Sequence, residues 1–146
     1  SDDERLAPFA PPAAAPGSGP KKLRSLSLRR TIEIDLASNE MVYTLKSDGG
    51  ELEGAALARL EAIDLDLGYT LTKRYRIIET DPLSAQTELS QTALLRRGDW
   101  RVRLTCSTRL NATREAFQFS GELRAYEGEA EVAHKTWQQA IPRRLV

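Results

Sequence analysis

One histidine and one cysteine, His134 and Cys106, are the side chains best suited by type to act as base, nucleophile or soft metal ligand near neutral pH. They stand 28 positions apart. A hydrolytic triad needs a nucleophile, an imidazole and an orienting carboxylate that converge in space, and nothing in the spacing around His134 nominates the other two. The Gly-x-Ser-x-Gly elbow that presents the serine of α/β-hydrolases does not occur. One His and one Cys make no metal-ligand cluster. There is also no phosphate loop, no Gly-rich dinucleotide turn, and no aromatic-plus-basic stack for single-stranded nucleic acid. The sequence therefore nominates no catalytic, cofactor-binding or metal-ligating residue. This chain is expected not to be an enzyme by itself and to hold no cofactor. Asn111-Ala112-Thr113 matches the glycosylation sequon and is read as chance in a chain without a secretory leader.

The elements that would position any site come mainly from Asp81 to Leu145, which holds both tryptophans and two of the three phenylalanines. Turn signals at Arg97-Gly98-Asp99, Asn111 to Arg114 and Tyr126-Glu127-Gly128-Glu129 divide it into four segments. In the second segment Trp100, Val102, Leu104, Cys106 and Leu110 alternate with Arg101, Arg103, Thr105 and Arg109. In the third, Phe117, Phe119, Leu123 and Ala125 alternate with Gln118, Ser120, Glu122 and Arg124. Period two puts the apolar set on one face, so the segments read as an antiparallel meander with one dry face and one wet, basic face. Trp100 and Phe119 are expected to face inward from adjacent strands, and Cys106 to be a small core residue. The fourth segment, Glu129 to Ile141, breaks the pattern and reads either as covered on both sides or as bulged.

Upstream, residues 1–20 hold five prolines and two glycines and read as an extended strap or a linker, ahead of an antiparallel β domain over 21–146. Ile32, Ile34 and Leu36 alternate with charge, as do Met41, Tyr43 and Leu45 with polar residues, which predicts a hairpin across Ala37 to Glu40. The basic run Lys21, Lys22, Arg24, Arg29 and Arg30 reads as a solvated edge rather than a phosphate contact. Glu51 to Leu67 reads as a short helical turn or loop followed by a strand, and Tyr69 to Ile78 as another strand halted by Asp81-Pro82. The tally is about seven strands with little helix.

Lys plus Arg and Asp plus Glu are equal at 21 each, so no global field favours nucleic acid or an anionic membrane surface. No apolar run approaches a membrane span, and one cysteine excludes an internal disulfide. A cytoplasmic setting is expected over a secreted one.

Several motifs in a fixed order carry more information than any one alone: PFAPP, TIEIDLASNE, YRIIETDPLSA, RRGDWRVRL, AFQFSGELRAYEG and HKTWQQAIPRRLV. In that order, and best from Tyr75 to Val146, the chain resembles the C-terminal region of hydrolases related to X-Pro dipeptidyl-peptidases and cocaine esterase, the CocE/NonD group. The resemblance implies a jelly-roll-like β-sandwich that packs on an α/β-hydrolase domain carrying the Ser, Asp and His of a triad. None of those catalytic residues has a matching position here. The family's C-terminal region is longer than this chain, so exposed sheet edges are expected, covered by the strap, by dimerisation or by another closure. The first functional expectation is thus a non-catalytic module that shapes the active-site entrance and mediates packing or oligomer contacts. Its partners would be the parent's catalytic domain and another copy of the chain, with no nucleic acid and no membrane. The second, of a different class, is a free-standing β-sandwich or barrel that binds a small ligand or carbohydrate in its concave face.

Overall fold

A computed structural model describes residues 19–48 and 56–144, so the proline-rich stretch expected as a strap lies almost wholly outside the described residues. Nine strands form one antiparallel sheet, in keeping with the all-β, sandwich-like meander expected. They are β1 (Lys21–Lys22), β2 (Leu28–Asp35), β3 (Glu40–Ser47), β4 (Ala58–Leu60), β5 (Leu65–Ile78), β6 (Asp81–Arg97), β7 (Trp100–Ala112), β8 (Ala116–Glu127) and β9 (Ala130–Pro142). The four segments read from Asp81 onward are β6 to β9. Their joints behave as their glycines demand, with Gly98 and Gly128 both at φ +56. The longer joint after β7 is closed by Thr113, whose Oγ1 accepts hydrogen bonds from the backbone N–H groups of Glu115 and Ala116 at 3.2 and 3.1 Å.

Strands β5 to β9 pair in sequence order, and β2 and β3 form the expected hairpin, with Ile32 opposite Tyr43 and Ile34 opposite Met41. Two readings are corrected. Ile63 to Leu67 and Tyr69 to Ile78 are not separate strands: β5 runs unbroken from Leu65, after a single 3₁₀ turn at Glu61–Ile63. The short strand β4 had no alternation long enough to announce it. β5 is shared along one side, because β4 pairs its first residues, Leu65 to Leu67, and β3 pairs Leu71 to Ile78. The two ladders thus lie end to end, and a carboxylate pins them together. Asp48, buried and in the left-handed region, accepts two hydrogen bonds from the Arg24 guanidinium, the Nη2 one at 2.6 Å. Arg24 itself is held beside β4 by backbone hydrogen bonds to Leu57 O.

In β9 the bulged alternative is the one realised. Ala125 lies opposite Ala133 but Tyr126 lies opposite Glu131, so Val132 is the extra residue. Coverage on both sides is excluded, since every residue of β9 is exposed.

The register sorts side chains strictly, because directly paired residues share a face. One face carries Ile32, Tyr43, Tyr75, Leu89, Leu104, Phe119 and Trp137, with similar residues on every long strand. Trp100 and Phe119 do sit on it, on adjacent strands, yet this face is bare rather than dry. Ile32 is 62% exposed, Ile34 61% and Trp100 38%, and among the described residues no large apolar side chain is fully buried. Val42 and Leu57 are the nearest to a buried apolar core. Cys106 shares this face and is half-buried.

Candidate functional site

The opposite face is polar, and the register writes its residues as lateral rows across the sheet. Thr72, Ser90, Ser107, Glu122 and Thr136 form one row from β5 to β9, each directly opposite the next. Arg74, Glu88, Arg109, Ser120 and Gln138 form the adjacent row. These ten residues line a hollow of about 510 Å³. Two smaller hollows, of about 360 and 280 Å³, are lined chiefly from the same face. Leu89, Thr108, Gly121 and Trp137 of the intervening row complete the lining, between short hydroxyl side chains and longer charged ones.

From β5 to β9 this face carries Arg74, Arg76, Arg96, Arg101, Arg103, Arg109 and Arg124 against Asp66, Glu88, Glu122 and Glu131, so it keeps the basic excess expected, although several of the arginines are paired. Arg109 donates from Nη2 to Glu88 Oε1 at 2.7 Å, and the Gln86 amide donates to the same oxygen at 2.8 Å. Arg124 donates to Glu122 Oε1 from Nη2 and Nε at 2.7 and 2.9 Å, and from Nη1 to Glu131 at 3.1 Å. That guanidinium, followed by His134, holds the Glu122 carboxyl below its usual range. Arg103 stacks on the Tyr126 ring, its guanidinium carbon 3.9 Å from the ring centroid. Arg74 and Arg101 are exceptions: neither guanidinium has a hydrogen-bond or ion-pair partner among the described residues, although Glu88 lies opposite Arg74.

His134, the strand histidine of the sequence reading, lies on this face beside the hollow. Its Nε2 is 2.8 Å from Glu122 Oε1. A carboxylate therefore stands where an orienting acid would, but no hydroxyl or thiol is hydrogen-bonded to the imidazole among the described residues. Cys106 faces the other side of the sheet, so the two chemistry-bearing residues are not brought together. Asn111 of the sequon is exposed at the end of β7, and its Thr113 is occupied in the turn.

A second polar cluster closes the end of the sheet. Asp66, buried on β5, accepts from Arg59 Nη1 at 3.0 Å and Arg96 Nη2 at 2.8 Å, and Arg59 also pairs with Asp64. The Arg96 hydrogen bond is the main cause holding the Asp66 carboxyl below its usual range, with Arg59 adding to it. This cluster joins β4, β5 and β6 and is structural.

Sequence reading placed Arg101, Arg103, Ser120 and Glu122 on the wet face but missed Thr70, Thr72, Arg74, Ser90 and Thr92, which complete it. Their signal was the polar alternation Thr70-x-Thr72-x-Arg74 and Glu88-x-Ser90-x-Thr92, in phase with the neighbouring strands. No family model, no curated protein and no solved structure matches this chain.

Proposed function

We propose that this chain is the non-catalytic C-terminal β domain, or a fragment of it, of an α/β-hydrolase-type serine peptidase or esterase of the X-Pro dipeptidyl-peptidase or acyl esterase kind. Its work is to shape the active-site entrance and to mediate packing or oligomer contacts. The observation that carries this reading is the bare apolar face. Seven long strands at the usual strand spacing and rise give a face of about 1,400 Å². A stable interface needs only about 800 Å² from each partner. Among the described residues the sheet is a single layer with little buried apolar area, and sheets need a second layer for stability, so another layer is called for. The catalytic domain of the same parent chain is the occupant that the order of motifs favours. It would supply the nucleophile that the 146 residues lack.

The reading frame upstream of Ser1 tests this directly. It is expected to continue into a segment with a Gly-x-Ser-x-Gly elbow, and a natural start close to Ser1 would overturn the reading. The chain alone should give background rates with p-nitrophenyl esters and X-Pro amides. Turnover that disappears in His134→Ala would also overturn it.

A further inference from the structure

We infer that the hollow of the polar face binds a small sugar acid, a hydroxyl-rich ligand with one carboxylate that docks on Arg74. This goes beyond the accessory role proposed above and does not depend on what covers the apolar face.

The floor decides the main part of the ligand. Thr72, Ser90, Ser107, Ser120 and Thr136 present hydroxyls from five successive strands. Strand spacing sets Thr72, Ser90 and Ser107 about 4.8 Å apart along one row, with Thr136 beyond Glu122 in the same row and Ser120 in the adjacent one. Each hydroxyl both donates and accepts, so the floor matches a partner whose own groups do both at short intervals, as a polyol does. An apolar ligand would leave these groups without their water and gain no hydrogen bond in return. The volume, about 510 Å³, is that of a small-molecule site rather than of a macromolecular groove.

The walls decide the charge. Four charged groups line the hollow: Arg74, Glu88, Arg109 and Glu122. Glu88 is taken by Arg109 and Gln86, and Glu122 by Arg124 and His134. Of these four, Arg74 alone has no hydrogen-bond or ion-pair partner among the described residues. A guanidinium fork pairs best with a planar carboxylate through two parallel hydrogen bonds. One such cation beside a neutral hydroxyl floor selects a monoanion, and a polyanion such as nucleic acid would meet Glu88 and Glu122 as it extended.

Backbone amide shifts of the full 146-residue chain, followed by NMR during titration with glucuronate, test the inference. Saturable shifts are expected around Thr72, Ser90, Ser107 and Ser120, with a Kd of about 1 mM or tighter. Glucose, which lacks the carboxylate, and acetate, which lacks the hydroxyls, should each bind at least about tenfold more weakly. Arg74→Met should weaken glucuronate binding about ten- to a hundredfold, and Arg74→Lys should restore part of it. Arg101→Met, outside the hollow on the same face, should leave it unchanged. Absence of saturable shifts overturns the inference, as does binding indifferent to Arg74→Met in a variant with an unaltered strand spectrum. Acetate matching glucuronate would reduce the site to a bare anion contact, and glucose matching it would remove Arg74, so either result also overturns the proposal. None of these outcomes bears on the upstream reading frame, so the accessory reading stands or falls separately.

Discussion

Asp66 shows how one side chain can fix the end of a sheet that has almost no apolar core. It is buried, and its two oxygens receive guanidinium hydrogen bonds from β4 and β6. Because its folded pKa lies below the ordinary value, its contribution to stability is present above the unfolded carboxyl range, near pH 4, and is lost as pH falls through the folded value. Asp66→Asn is expected to lower the melting temperature by several degrees at neutral pH. The variant should also lose less stability than the parent on acidification to about pH 3. Melting curves taken across that range check both, and parallel acid limbs in the two proteins would remove Asp66 from the account. This residue was not legible in the sequence. Ile63-Asp64-Leu65-Asp66-Leu67 read only as an alternation, and nothing local distinguished the buried carboxylate from its exposed neighbour Asp64. The distinction is made by Arg96, thirty residues away.

At the scale of elements the sequence spoke plainly wherever joints were short. Glycines at positive φ and tight turns fix which residue lies opposite which, and period two then assigns every face, so β6 to β9 and the β2–β3 hairpin were readable from their own residues. β4 and the union of two segments into β5 were not, because their pairing partners are distant in sequence and their own stretches are short or ambiguous. Glycine roles can be separated by substitution. At Gly128 an added Cβ would meet nothing within 4 Å, yet φ is +56, so Gly128→Ala should cost about 1 kcal/mol from backbone strain alone. At Gly121 the same Cβ would meet the Trp137 ring at 3.4 Å, an ordinary contact, with no positive φ. Gly121→Ala should therefore cost well under half of that. Denaturant titration of the two variants decides it, and equal losses would show that the β8–β9 turn is not the strained position.

The described residues form two unlike faces and three edge strands, β1, β2 and β9. Zero net charge removes the repulsion that would keep copies apart, and the apolar face adds attraction. The chain alone is expected to self-associate, most strongly near its pI of about 6.6. Ile32→Glu with Ile34→Glu should raise the concentration needed at least about tenfold, whereas Lys46→Glu on the polar face should not. Light scattering over a range of concentrations measures this, and a strictly monomeric parent chain would contradict it. The shared edge of β5 has a different consequence, one that concerns time rather than affinity. β4 ends its pairing at Leu67 and β3 begins at Leu71, so among the described residues Gly68, Tyr69 and Thr70 have no neighbour strand on that side. Among the described residues the sheet is divided there into two flaps on one continuous strand, and half-buried Arg24 with buried Asp48 ties them across the gap. The amides of each flap are expected to exchange before those at the centre of the sheet. β6 to β8, with a strand on either side of each, must wait for the whole molecule to come apart.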